Sequence, residues 1–359
     1  VLSSKKNGMI MMILFILLYA AATALAVIGS IFYCIPMAAV GFIWLSLGWI
    51  PFLGLKVLKP QEALVLTLFG NYVGTLKDDG FYTMMIGASD MGTGCDTTLA
   101  QIAADVLGCD LENIVSHGVD TDVSPYDSGS YASSTAYLTG MAAVKASNSM
   151  IRLITEKGAE YLEKTPEEVD FDGEQVFAKD GSASISLKDI GNRAMANNGK
   201  ALEVTESHSS PVSPPPFMAG AAEVEVDMET GQIDLIQFVS AVDCGTPLNE
   251  NLARVQTEGG LVQGIGMALY EDVTYLKNGH VCENSLMQYK LPTRLDIGRV
   301  QVELECSYEP TGPFGAKSIG EIVINTPSPA IANAVYNAVG VRIRELPITA
   351  EKIFNGLNQ

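Results

Sequence analysis

The first pattern along the chain is a long stretch without charge. Between Lys6 and Lys56 run 49 residues without one Asp, Glu, Lys or Arg, most of them Leu, Ile, Ala, Met, Phe, Val or Gly. As a single helix this stretch would extend about 73 Å, more than twice the ~30 Å of a hydrocarbon core. Two spans fit better, at 9–27 and 36–53, with a break in "SIFYCIP" at 30–36. Lys5 and Lys6 precede the first span and Lys56 and Lys59 follow the second, so the positive-inside rule places both ends in the cytoplasm. The alternative, a cleaved signal peptide, would show an apolar core of about 7–15 residues and small-residue cleavage chemistry.

After this hairpin, "ALVLTLFG" and "YVGTL" alternate or run apolar at strand length, with turns at Gly70-Asn71 and Asp79-Gly80. They predict a short β meander. From Met84 the pattern becomes α+β. "DTTLAQIAADVLG" places Leu99, Ile102, Ala103, Val106 and Leu107 on one helical face, with Asp96 or Thr97 as N-cap and Gly108 as C-cap. A longer helix is expected over about 133–162, and "TPEEV" at 165–169 has the grammar of a helix start. "AEVEVDMETGQIDLIQFVSAVD" reads as a β hairpin turning at "ETG". "SPAIANAVYNAVG" and "TAEKIFNGL" predict two closing helices, and "SSPVSPPP" at 209–216 a rigid loop.

Charge divides the chain at the same place. Residues 1–83 hold five Lys against three acidic residues, whereas 84–359 hold seventeen basic against thirty-eight acidic residues, a net of −21. So acidic a surface repels nucleic-acid phosphates, and no basic patch interleaved with aromatics appears. The six cysteines lack any CxxC pair and the three histidines are isolated, so neither a zinc site nor an iron–sulfur cluster can be built at recognised spacings. The hydrophobic content of 48% suffices for a sizeable core.

Three glycine-rich segments carry candidate chemistry. "GASDMGTGCDTT" ends at a helix start, where Gly92 and Gly94 let the backbone approach a ligand and the helix N-terminus offers unpaired N–H groups to an anion. "QTEGGLVQGIGMALYED" spans 256–272, and "GPFGAKSIGE" at 312–321 closes on the carboxylate of Glu321. Singly, such segments are ordinary turns. With "PYDSGSYASSTAYLTG", "SPPPFMAGAAEVEVDMETG" and "DCGTPLNENLARVQTEGG", in this order, they closely resemble the C-terminal half of the molybdenum-binding subunit of the xanthine dehydrogenase and aldehyde oxidase family, over about 84–357.

The resemblance implies an α+β fold, the second molybdopterin-binding domain of a molybdenum hydroxylase. It also implies hydroxylation of a purine, another heterocycle or an aldehyde at an electron-poor carbon, with oxygen from water. Glu321 matches the family's general base, which takes a proton from a hydroxyl on molybdenum. A carboxylate at the end of a glycine-rich loop can be held against a ligand, and partial burial there would suit it to proton transfer. Gln256, Gly259 and Gly260 match the segment that hydrogen-bonds the pterin, an amide being suited to a pterin edge. Gly92, Thr93 and Gly94, with Ser130, Ala132 and Ser133, match backbone that lines the cofactor phosphate and metal pocket. Lys317 could meet a phosphate, and no residue is expected to ligate the metal, which the pterin holds. Iron–sulfur and flavin partners would carry the electrons, and family members are cytoplasmic.

The family's cofactor lies between two domains, and the chain matches only the second, so this chain alone is expected to leave the cleft half built. In place of the first domain, residues 50–82 resemble the opening of the stomatin/prohibitin/flotillin (SPFH) domain of membrane scaffolds. The organisation expected is therefore a transmembrane hairpin at 1–55, a partial SPFH-type β segment at 56–83 and the molybdopterin-binding domain at 84–359. Two other readings remain open on the sequence, a non-enzymatic scaffold and a chimeric fragment with neither activity. A chain that opens on Val1 fits an incomplete sequence.

Overall fold

A computed structural model describes residues 8–32, 35–47, 82–118, 120–198 and 201–358. The chain divides into two compact units, residues 1–64 and 65–359. In the first, α1 (Gly8–Ile31) and α2 (Ile35–Leu47) form the expected helical pair. Ala22 and Ala26 are buried against Gly41, whose added Cβ would come within 2.5 Å of Ala26 N, so small residues set the approach. Tyr19 Oη donates to the Leu45 carbonyl at 3.0 Å. Among the described residues, however, no helix is long and apolar enough to cross a membrane. The thirteen residues of α2 rise about 20 Å, short of ~30 Å. The expected spans are therefore unsupported. The β meander and all but the last two residues of the SPFH-like segment lie outside the described residues.

The second unit is a mixed α/β fold with three small sheets. Strand β1 (Tyr82–Met85) pairs in parallel with β2 (Ile114–His117), on either side of α3 (Cys95–Leu107). The predicted face of α3 goes inward, with Leu99, Ile102, Ala103 and Leu107 buried and Val106 half-buried. Its C-cap is Gly108 as expected, but its N-cap is Gly94, at φ 73°, rather than Asp96 or Thr97. Helix α4 (Thr135–Tyr161) packs on α3 and on an antiparallel sheet of β3 (Val169–Phe171), β4 (Gln175–Ala178) and β5 (Ser184–Ser186), followed by α5 (Leu187–Asn198). "TPEEV" has the expected capping box between Thr165 and Glu168, yet it makes only one 3-10 turn. Val169 to Phe171 are drawn into pairing with β4, which ends the turn.

The third sheet joins β6 (Phe217–Val226), β7 (Ile233–Asp243) and β8 (Arg299–Glu305), with β6 and β7 antiparallel and β7 and β8 parallel. The predicted hairpin forms. Helices α6 (Glu250–Leu269), α7 (Pro327–Val339) and α8 (Ala350–Leu357) complete this half. Phe238, Leu261, Ile265, Ile331, Val335 and Ile353 form its fully buried centre. A second core under α3, α4 and the β3–β5 sheet includes Ile154, Val176 and Ile190. A smaller cluster of Ile86, Cys95, Leu99, Ile102 and Ala143 lies along α3 and the start of α4. The glycine-rich segments come together beside it.

Candidate functional site

A cavity of about 270 Å³ opens where the start of α3, the 130–136 turn, the first half of α6, the 244–249 loop and the 316–320 loop meet. Its polar lining includes Thr93, Ser130, Ser133, Asn249 and Gln256, and Leu99, Leu248, Leu252 and Ile319 supply apolar walls. Four of the predicted cofactor residues thus face one space: Thr93, Ser130, Ser133 and Gln256. Lys317 contributes to the same wall.

Each segment reaches the cavity by a local device. Asn249 caps α6, its side chain accepting from Leu252 N at 3.0 Å, and its Nδ2 donates to Gln101 Oε1 of α3 at 3.2 Å. That contact ties α6 to α3 across the cavity floor and carries Gln256 two turns along. The 130–135 turn bends sharply enough that Ala132 and Ser133 adopt φ of 52° and 54°, a left-handed conformation that non-glycine residues rarely take. Phe314 does the same at φ 51° in the 312–321 loop. Strain of this kind gathers at sites that hold something in place.

Glu321 stands at the rim, next to Gly320. Ser133 Oγ accepts from the Glu321 backbone N–H at 2.7 Å and donates to Glu321 Oε2 at 3.2 Å. A Cβ on Gly320 would lie 2.9 Å from Ser133 Oγ and 3.6 Å from Gln256 Nε2, so the glycine leaves room for the three residues to converge. The carboxylate is exposed, contrary to the partial burial expected for it. No wall among the described residues covers it.

Just ahead of α3, two backbone N–H groups are already taken by one of the chain's own carboxylates. Asp90 Oδ1 accepts from Gly92 N at 2.9 Å and Gly94 N at 3.1 Å. Burial alone would raise this carboxyl, but the N–H groups of Gly92, Gly94, Asp96 and Thr93 outweigh it and hold Asp90 below the usual carboxylate range. The chain's own carboxylate thus occupies the place expected for an anion. Asp90, Cys95 and Asp96 bring potential ligand atoms within 4.8 Å of one another, but Asp90 Oδ1 is already engaged.

Lys317 is 8% exposed, and its Nζ donates to Asp243 Oδ2 at 2.8 Å and to the Pro215 carbonyl at 3.2 Å, 5.2 Å from the centre of the Phe217 ring. Its ammonium is thus committed to partners within the domain. Gly259 has open space around it and does not line the cavity, whereas a Cβ on Gly260 would lie 2.1 Å from Val323 Cγ2. Gly260 serves helix packing on the turn behind Glu321. Cys95 and Cys244 both line the cavity, and burial pushes each thiol up to about 11. Both thiols are therefore protonated at neutral pH.

Asp243 and Asn249 escaped the sequence reading. Both sit in the quoted "DCGTPLNE", and Asn249 one residue before a helix was a readable cap signal. Nothing local marked Asp243, whose partner Lys317 is 74 residues away.

The profile of the family described as molybdopterin cofactor-binding domain matches residues 67–298. That span holds Thr93, Ser133 and Gln256, while Lys317 and Glu321 follow it. A probable hypoxanthine oxidase of Escherichia coli K12 is 36% identical over 286 residues, which are 79% of this chain and 30% of that protein. The gamma subunit of the 6-hydroxypseudooxynicotine dehydrogenase complex of Paenarthrobacter nicotinovorans is 32% identical, over 85% of this chain and 40% of that protein. Among solved structures, quinoline 2-oxidoreductase from Pseudomonas putida 86 superposes with a TM-score of 0.67 at 27% identity, covering 79% of this chain and 38% of the other. A copper- and molybdenum-containing CO dehydrogenase gives 0.69 at 25% identity, covering 79% and 37%. The chain therefore spans between a third and two fifths of these relatives, or less.

Proposed function

This chain belongs to the molybdopterin cofactor-binding domain family, and from that premise we propose that it forms one wall of a molybdenum hydroxylase active site, with Glu321 as the base. The observation that carries this reading is the convergence of Glu321, Ser133, Gly320 and Gln256 at one cavity rim. The residues fit the cofactor. Gln256 offers an amide with donors and an acceptor, and Thr93 and Ser130 offer hydroxyls, all lining the one cavity. The cavity is just under the roughly 300–1,000 Å³ that enclose a drug-sized ligand, so the chain accommodates part of such a group.

When bound, the cofactor would supply the redox chemistry, a two-electron oxidation of an electron-poor carbon with oxygen drawn from water. The chain's residues do the rest. Glu321 accepts a proton at a carboxylate oxygen, and Gln256 fixes the ring edge by donating and accepting hydrogen bonds. Leu99, Leu248 and Ile319 keep water from the inner end of the cavity, which strengthens the polar contacts there. The substrate is a purine, another heterocycle or an aldehyde, in keeping with relatives named as hypoxanthine oxidase, nicotine 6-hydroxylase and aldehyde oxidoreductase. Electrons leave through iron–sulfur and flavin modules on partner subunits.

Molybdenum and pterin content, measured in wild type and Glu321→Ala, tests this reading. Equal content in the two proteins is expected, with turnover of the assembled enzyme reduced by about 10²–10⁴ in the variant. Loss of cofactor with the carboxylate would overturn the assignment of Glu321 as base.

The proposed organisation is an N-terminal hairpin at 1–55, an SPFH-like segment at 56–83 and the cofactor-binding domain at 84–359. Membrane attachment of the cytoplasmic domain by the hairpin rests on the uncharged run between Lys6 and Lys56. A chain held in this way stays in the membrane pellet after alkaline carbonate extraction. Its release into the supernatant would remove the anchor from the proposal.

A further inference from the structure

We propose that Ser133 positions the carboxylate of Glu321 for proton transfer, a role that rests on the reading of Glu321 as the base. The geometry is a two-point hold by one hydroxyl. Its oxygen accepts from the Glu321 backbone N–H at 2.7 Å and its proton goes to Oε2 at 3.2 Å. A hydroxyl has one proton and two lone pairs, so both bonds can exist together. The first fixes the main chain of Glu321 and the second selects its rotamer. Among the described residues, no other hydrogen bond reaches this carboxylate.

The anchor is itself braced. Ser133 N–H donates to the Ser130 carbonyl at 3.1 Å, Ser134 N–H to the Tyr131 carbonyl at 3.3 Å, and Thr135 Oγ1 to Ser130 Oγ at 2.6 Å. The turn leads directly into the 27 residues of α4, a rigid support for a positioning group. Ser133 holds a left-handed backbone at φ 54°, where glycine would be relaxed and serine is strained. A serine that adds strain at this position needs another use, and the hydroxyl reaching residue 321, 188 positions away, supplies one.

That strain makes the idea testable, because Ser133→Gly removes the hydroxyl and relaxes the backbone together. In the full chain, residue-resolved hydrogen exchange and the thermal midpoint are measured for wild type, Ser133→Gly and Ser133→Ala. The expected result is a midpoint for Ser133→Gly equal to or above wild type, with the Glu321 amide exchanging at least about fivefold faster in both variants. The Glu321 carboxyl carbon signal shifts as well, while the amides of α4 and α6 keep their protection. In the assembled enzyme kcat falls about 10- to 100-fold at unchanged KM and molybdenum content. Unaltered protection of the Glu321 amide in Ser133→Gly would overturn the proposal. So would a general loss of protection over 312–326 with a lower midpoint, since that marks Ser133 as a structural residue. Exchange needs no cofactor, so failure of the chain to take up molybdopterin would sink the proposed function without touching this result.

Discussion

At the scale of single residues, Asp243 is the hinge on which the site loop depends. Its carboxylate receives Lys317 Nζ at 2.8 Å, Ser307 Oγ at 2.7 Å and Gly245 N at 2.9 Å, which joins the end of β7 to the 312–321 loop. Burial alone would raise this carboxyl, but those hydrogen bonds outweigh it and hold Asp243 below the usual range. A carboxyl depressed by folding contributes stability above its unfolded value of about 3.9, and the contribution is lost as pH falls through the lower folded value. Asp243→Asn leaves the buried Lys317 ammonium without its counter-charge and should cost about 3 kcal/mol at neutral pH. Urea midpoints between pH 2.5 and 7 check this. The wild type loses stability below about pH 4, and the variant has a flatter acid arm from a lower plateau. Adding Lys317→Met should recover most of the loss, because the unpaired charge goes with it. A phosphate-binding lysine would behave differently, with little change in stability and a loss of cofactor.

Among the elements, α6 carries most of the positioning, and its glycines show what sequence could and could not give. Gly260 and Gly264 face Val323 and Pro327 so closely that an added Cβ would lie 2.1 Å and 2.6 Å from their side chains. This packing presses α6 onto the short turn at 322–324, directly after Glu321. Gly260→Ala should therefore destabilise the domain by about 1–3 kcal/mol and displace Glu321, with a fall in Tm that Val323→Ala largely reverses. A variant with unchanged Tm would mean that the turn yields at no cost. From the sequence, the helices α3, α4, α7 and α8 and the β6–β7 hairpin were legible, since caps and periodicity are local. The same holds for the convergence of Thr93, Ser133 and Gln256, which came through resemblance. The structural duty of Gly260, the occupation of the α3 start by Asp90 and the pairing of Lys317 were not legible. Each depends on which residue far along the chain fills the adjoining space, and "TPEEV" became a single turn because distant β4 offered better pairing.

For the molecule as a whole, the question is what covers the rim of the cavity. Residues 271–298 contain no helix or strand beyond the bridge between Tyr275 and Val281, and they are pinned locally by Thr274 to Glu283. This segment leaves Leu286, Met287 and Leu295 at 78%, 81% and 97% exposure, among the most exposed large apolar side chains of the described residues. Glu321 is exposed as well. The chain spans 30% and 40% of the length of two of its curated relatives. An irregular segment with few buried contacts opens at low free energy, so it should be the first place cut. Limited chymotrypsin digestion of the purified chain is expected to cleave within 275–295 before α6 or β8, because Tyr275, Leu276, Leu286 and Leu291 are exposed there. Assembly with a polypeptide carrying the remaining length of a relative should suppress that cut and raise molybdenum content together. If assembly raised the molybdenum content and left the cut unchanged, the exposed segment would have no part in completing the site, and cofactor capture would belong to the cavity rim alone.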